Sequence, residues 1–196
     1  AGTFDGCGYT VSGVYTGTKD ASAGNTETVQ GFFGVVTGTV KNLTVSGCIT
    51  GKFVVGGIAA SLNGGTIENC KNNAIVYADG GQAANSGIEN GTKNAGAVGG
   101  IAGNVMTGSS VTGCVNNAAV VCTNSSKGGR AGGIIGLIDD ASAAVTVKNN
   151  GNKGRIDAYQ YSGGIVGYNN SANAPIENCY NNGDILGYSS GRTCVG

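Results

Sequence analysis

Four segments of this chain can be laid on one another, and that repetition restricts the fold more than any other feature of the sequence. They are Gly57-Ile58-Ala59-Ala60 leading to Thr66-Ile67-Glu68-Asn69-Cys70, Gly100-Ile101-Ala102-Gly103 leading to Ser110-Val111-Thr112-Gly113-Cys114, Gly133-Ile134-Ile135-Gly136 leading to Thr146-Val147-Lys148-Asn149-Asn150, and Gly164-Ile165-Val166-Gly167 leading to Pro175-Ile176-Glu177-Asn178-Cys179. A more divergent copy runs from Gly31-Phe32-Phe33-Gly34 to Thr44-Val45-Ser46-Gly47-Cys48. The alignment defines a structural cysteine column, Cys48, Cys70, Cys114 and Cys179, in which Asn150 replaces one member. A little further on it defines an asparagine column, Asn72, Asn116, Asn152 and Asn181, and then an aliphatic column, Val76, Val120, Ile156 and Ile185.

Each copy holds three short β-prone runs separated by Asn-Asn, Asn-Gly and Gly-Gly steps, which supply the positive φ that tight corners demand. Runs this short are no use as helices, which need about ten residues or more. Strands that pair with their equivalents one turn away build a parallel β-helix, and the crossover preference makes a right-handed coil the expectation. The expected class is therefore all-β, with residues 1–196 as one solenoid domain and repeats near 31–54, 56–78, 99–122, 132–158 and 163–187. Stacking would set equivalent residues about 4.8 Å apart and carry the Ile/Val columns inside. The asparagines either stack as an amide ladder that satisfies buried polar groups or simply tolerate the left-handed turn. Lys148 and Glu177 share a column in consecutive coils, so they should meet as a surface ion pair worth about 0–1 kcal/mol.

Composition narrows the function classes. The 39 glycines follow no triplet period and 40% of residues are hydrophobic, which excludes both collagen and plain disorder. Charge is sparse and balanced, 11 acidic against 11 basic residues, which removes the physical basis for a nucleic-acid or anionic-membrane partner. No apolar run approaches the roughly 18 residues of a membrane span. The sequence opens in mid-pattern at Ala1-Gly2-Thr3 without a signal peptide, and the expectation is a mature piece of a longer chain with further domains. Its 7 cysteines include no C-x-x-C pair, which argues against zinc-ribbon and thioredoxin readings. Buried free thiols are favoured over a disulfide framework, because a chain of this size needs no staples. The redox state of Cys7, Cys122 and Cys194 stays open.

The chain contains no histidine, which removes Ser-His-Asp and Cys-His machinery and the common zinc hydrolase sites. Gly51-Lys52 is followed by Phe53 and lacks the glycine spacing of a P-loop. Asp139-Asp140 supplies too few oxygen ligands for calcium. No metal or cofactor is expected. Carbohydrate-cleaving β-helices need clustered carboxylates, whereas the acids here are dispersed, the nearest grouping being Arg155, Asp157 and Asp184. A non-enzymatic module is the reading, with a polysaccharide lyase or glycoside hydrolase as rival. Convergence of three or more charged side chains in one groove would favour the rival. Candidate ligand contacts are Tyr159, Tyr161, Tyr168 and Tyr188, since exposed rings stack on sugars or anchor protein partners. They could equally pack on neighbouring coils, and Tyr180 could simply cover a strand. The connections at 50–55, 77–98, 122–131 and 157–162 differ in length and should leave one edge of the solenoid, either as a binding surface or as tolerated drift.

At 163–183 the sequence resembles the GLUG-type repeats of bacterial surface proteins, whose pattern is Gly-Gly-Ile-Val-Gly-x-Asn followed by Ile-x-Asn-Cys-Tyr-Asn-x-Gly. The opening at 2–13 and the stretch 38–45 are similar to the start and first full coil of such solenoids. The resemblance implies a secreted or cell-surface bacterial protein, adhesin-like or carrying the repeats beside an immunoglobulin A peptidase domain. It implies location better than activity, and the expected role is a stalk, spacer or adhesive module, with recognition of a host glycan or extracellular protein carried by the loop edge and the C-terminal tyrosines.

Overall fold

The structure is a computed structural model that describes residues 2–17, 29–79, 96–123, 129–139 and 143–187. Among these residues every element is a β-strand, and the strands pair in parallel with their equivalents one coil away. The first coil comprises β1 (Thr3–Asp5), β2 (Thr10–Thr16) and β3 (Val29–Val36), and the second β4 (Thr39–Lys41), β5 (Thr44–Gly51) and β6 (Val54–Leu62). The third holds β7 (Thr66–Glu68), β8 (Lys71–Ala78), β9 (Ala97–Gly99) and β10 (Ala102–Val105). The fourth holds β11 (Ser110–Thr112), β12 (Val115–Asn116), β13 (Val120–Cys122), β14 (Arg130–Gly132) and β15 (Ile135–Ile138). The fifth runs through β16 (Thr146–Lys148), β17 (Gly151–Asn152), β18 (Ile156–Ala158), β19 (Tyr161–Gly163) and β20 (Val166–Asn169). The last described coil contains β21 (Ile176–Glu177), β22 (Tyr180–Asn181) and β23 (Ile185–Gly187). Three sheets result, here called A (6-stranded), B (9-stranded) and C (8-stranded), and the chain visits them in that order in each coil. This is a parallel β-helix.

From the second coil on, the corner from sheet A to sheet B turns on one left-handed residue, Asn42 (φ 54), Asn69 (φ 51), Gly113 (φ 65), Asn149 (φ 58) and Asn178 (φ 51), while the longer first corner uses two, Cys7 (φ 51) and Gly8 (φ 79). Asparagine and glycine are the residues that occupy this conformation at least cost. The residue after the turn points inward, and Leu43, Cys70 and Cys114 are buried there.

That corner corrects one sequence expectation. The register sets Thr39-Val40-Lys41 beside Thr66-Ile67-Glu68, so Leu43 fills the cysteine place in its coil. Cys48 pairs instead with Ile75, on sheet B, and does not belong to the column. The corner selects a left-handed residue followed by an inward apolar one, which Asn42-Leu43 provides, and the likeness of Thr44-Val45-Ser46-Gly47-Cys48 to the other corners is incidental. Asn150, by contrast, does the work of the missing cysteine. Its Nδ2 donates to the Val111 carbonyl at 2.8 Å and its Oδ1 accepts from the Cys114 amide at 2.9 Å, where thiols in other coils offer weaker bonds, such as Cys114 Sγ to the Ile67 carbonyl at 3.7 Å.

The asparagine column is an amide ladder. Asn72 Nδ2 donates to Asn116 Oδ1 at 2.8 Å, Asn116 to Asn152 at 2.8 Å, and Asn152 to Asn181 at 2.7 Å. Each amide also closes on its own backbone two residues along, as Asn116 Nδ2 does on the Ala118 carbonyl at 2.8 Å. Asn72, Asn116 and Asn152 are fully buried, and this satisfaction is what makes burial of an amide tolerable. The second glycine of each Gly-Gly step lies against this ladder: a Cβ on Gly100 would strike the Gly133 carbonyl and the Asn116 side chain. Two motifs far apart in sequence are thereby one packing unit.

The aliphatic column is in register as expected, Val76 with Val120, Val120 with Ile156 and Ile156 with Ile185. A further inward column on sheet A is sealed in the middle coils, with Val40 3% exposed and Ile67, Val111 and Val147 at 0%. It opens at both ends, where Phe4 is 42% and Ile176 45% exposed. On sheet B burial alternates along β8, whereas on sheet C every residue of β6, β9, β10 and β15 is buried. Phe53, Val54 and Ala60 form a second apolar cluster there, with Val29 packed against it.

Candidate functional site: an arginine beside two tyrosines on sheet C

The Gly-Gly step that closes β14 and β19 also fixes the residue two positions before it. Gly132 pairs with Gly163, so Arg130 pairs with Tyr161, continuing a column that contains Val54 and Ala97. Tyr168 reaches the same place from β20, in a column that runs Asn104, Leu137, Tyr168. The Arg130 guanidinium lies 4.8 Å from the centroid of the Tyr168 ring and 5.9 Å from that of Tyr161. The two rings meet edge to face, 5.1 Å apart at 67°. Arginine over a tyrosine face is an attractive arrangement worth about 0.5–2 kcal/mol, depending on desolvation.

Arg130 is half-buried, and its Nε is shielded from solvent without a hydrogen-bond partner among the described residues. Burial lowers its pKa below the ordinary guanidinium value, while Tyr168, Tyr161, Asp139 and Cys122 act in the opposite sense. An arginine nevertheless stays protonated at any physiological pH. The outcome is a permanent cation, stacked and partly dehydrated.

Of the tyrosines read from sequence, Tyr161 and Tyr168 come together. Tyr159 sits at the corner after β18, its N–H donating to the Cys122 carbonyl at 3.2 Å, and its ring has no part in the Tyr161–Tyr168 pairing. Tyr180 covers a strand, its ring occupying the space that a Cβ on Gly151 would take. Tyr188 and Cys194 lie outside the described residues. Arg130 was not singled out by the sequence reading, although a signal existed, because Arg130 and Tyr161 both stand two residues before a Gly-Gly step.

Elsewhere among the described residues, charged side chains form ion pairs at partly exposed positions. Lys148 and Glu177 pair at 3.0 Å in the register read from sequence, Lys41 and Asp5 at 3.4 Å, and Arg155 and Asp157 at 2.8 Å. Lys41 also stands in register with Glu68 on sheet A. Among the described residues no group of three or more His, Cys, Asp or Glu could hold a metal ion. Cys7, Cys70, Cys114 and Cys179 are free thiols. Cys70, Cys114 and Cys122 are buried, Cys48 and Cys179 are half-buried, and Cys7 is exposed. Hydrogen bonding to Cys70 and then burial push the Cys114 thiol well up. The strands that flank 18–28, 80–95 and 124–128 belong to sheets B and C, and those three segments themselves lie outside the described residues.

No family model matches the chain, and no curated protein matches it. Among solved structures it is similar to a candidate immunoglobulin A1 protease from Bacteroides ovatus, with a TM-score of 0.67 and 26% sequence identity. The likeness covers 87% of this chain and 55% of that one, so the chain spans about half the length of its structural neighbour.

Proposed function

We propose that this solenoid is a non-catalytic recognition module of a secreted or surface-attached bacterial protein, presenting the Arg130–Tyr161–Tyr168 face of sheet C to a glycan or an extracellular protein. The observation that carries the reading is the half-buried guanidinium lying beside a pair of half-buried tyrosine rings, a combination of aromatic area and fixed charge of the kind that anchors ligands. Connections of variable length between strands of sheets B and C add to it, since loops set on a rigid scaffold carry recognition. The GLUG-like pattern at 163–183 supports the extracellular setting.

A second reading, favoured by the structural neighbour, makes the module a companion to a peptidase domain elsewhere in its parent protein. One screen tests the binding reading: the 196-residue chain on a glycan array and a panel of extracellular-matrix proteins, beside the Tyr161→Ala/Tyr168→Ala double variant. Saturable binding lost in the variant supports recognition at this face. Binding unchanged in the variant moves recognition elsewhere, and no binding leaves the passive companion as the account.

A further inference from the structure

We infer that the Arg130 cluster takes a carboxylate carried on a sugar ring, which makes the ligand class an acidic saccharide. The inference rests on the recognition reading above and specifies its chemistry.

A guanidinium has five N–H donors in a planar fork that matches a carboxylate, and it is weakly enough hydrated to be used at a partly buried site. Arg130 is such a fork held in place. Its central carbon lies over the Tyr168 ring at 4.8 Å from the centroid and over the Tyr161 ring at 5.9 Å, so the aromatic pair sits directly beside the charged group. No described residue takes a hydrogen bond from its buried Nε. Asp139 lies close enough to favour the cation electrostatically. It stands directly after β15, the strand paired with β20, which carries Tyr168.

The rings decide between classes of acid. Beside the fork they present apolar area at a fixed separation, 5.1 Å between centroids, on strands and not on a loop. A carboxylate on a pyranose meets both demands at once, its oxygens on the guanidinium and the C–H face of its ring on tyrosine. An aspartate or glutamate of a peptide carries its carboxylate on a flexible stem and places no comparable rigid face beside it. The chain's low and balanced charge fits this discrimination, since no general positive field is present to attract acidic proteins indiscriminately.

The experiment is a titration of the full 196-residue chain with galacturonic-acid oligomers and sialylated lactose, the same compounds with each carboxyl reduced to the alcohol, and a poly-glutamate peptide. The expected result is binding of the acidic sugars about 10- to 100-fold tighter than of their reduced forms. Arg130→Gln should abolish that difference. Arg130→Lys, which keeps the charge and the aliphatic stem but not the fork, should lose most of it, and its unchanged circular dichroism and melting would show that the fold survives. Equal affinity for acidic and reduced sugars would overturn the inference, as would a preference that persists in Arg130→Gln or a tighter grip on poly-glutamate. Binding of neutral sugars that is lost in Tyr161→Ala/Tyr168→Ala would also overturn the acidic assignment while leaving the recognition reading standing. No binding of any probe at millimolar concentration would overturn both.

Discussion

Replacing Asn116 by alanine removes the middle rung of the amide ladder, and the structure sets the size of the effect. Four hydrogen bonds end on that side chain: Nδ2 to the Ala118 carbonyl and to Asn152 Oδ1, both at 2.8 Å, and Oδ1 from Asn72 Nδ2 at 2.8 Å and from the Ala118 amide at 3.4 Å. At about 1 kcal/mol net per bond the loss is about 4 kcal/mol. Two neighbours keep a partner, since Asn72 still donates to the Ala74 carbonyl and Asn152 still accepts from the Gly154 amide, which brings the expectation to about 3 kcal/mol. Asn117→Ala is the control. Asn117 is exposed, and its amide gives a single bond to Asn73 Oδ1 at 2.8 Å, so its loss should cost about 0.5 kcal/mol. Urea unfolding followed by circular dichroism should place the midpoint of Asn116→Ala about 1–2 M below wild type and that of Asn117→Ala close to it.

Asn116→Asp sharpens the test. An aspartate there offers only acceptors where the ladder needs a donor, and burial raises its folded pKa above the unfolded value of about 3.9. Its destabilisation should therefore grow as pH rises above about 4 and shrink in acid. Equal midpoints for the Asn116 and Asn117 variants, or an Asn116→Asp variant indifferent to pH, would refute the claim that the ladder stabilises the coil.

Gly100→Ala drives a methyl group into the Gly133 carbonyl and Asn116, and should cost about 1–3 kcal/mol in the same unfolding assay. Asn104 is fully buried with neither Oδ1 nor Nδ2 hydrogen-bonded, in register with Leu137, so Asn104→Leu should raise the midpoint by about 1 kcal/mol in equivalent stability. Maleimide should label Cys7 in the native protein and reach Cys70 and Cys114 only after unfolding, as mass spectrometry of the labelled peptides would show. The Cys7 amide, the Asn42 side chain and Lys41 hold the Asp5 carboxyl below its ordinary pKa, so its contribution is present above about pH 4 and is lost as pH falls through the lower folded value. Hydrogen exchange at the Gly8 amide, which bonds the Asn42 carbonyl, should quicken in acid before that at Asn117, which bonds Asn72 in the interior coils.

Periodicity made the coil legible because each residue has one equivalent above and one below, so alignment of the text is alignment in space. That is why the Asn72, Asn116, Asn152 and Asn181 ladder and the Lys148–Glu177 pair could be read in advance, one from a repeated amide and the other from opposite charges in one column. Cys48 failed because identity was matched where conformation decides. A corner requires a left-handed residue and an inward apolar one, and Leu43 meets that requirement without resembling cysteine. The Arg130 cluster was half legible. Arg130 and Tyr161 share a column, but Tyr168 joins them from a different strand, and contacts between columns depend on how the chain folds over at the Gly-Gly step.

The direction of the hydrogen bonds gives the solenoid a mechanical character. Backbone bonds of all three sheets and the amide ladder run along the coil axis, so tension applied between the ends is met at each junction by every bond in that junction acting together. No junction can be peeled strand by strand unless the pull is tilted. Within sheets A and B the described pairings differ in length, from the 2-residue strands β21 and β22 to the 8-residue register of β5 with β8, and resistance to axial tension should differ with them. Under axial force the 2-residue pairings would yield before the 8-residue register of β5 with β8, the strand from which the amide ladder starts at Asn72.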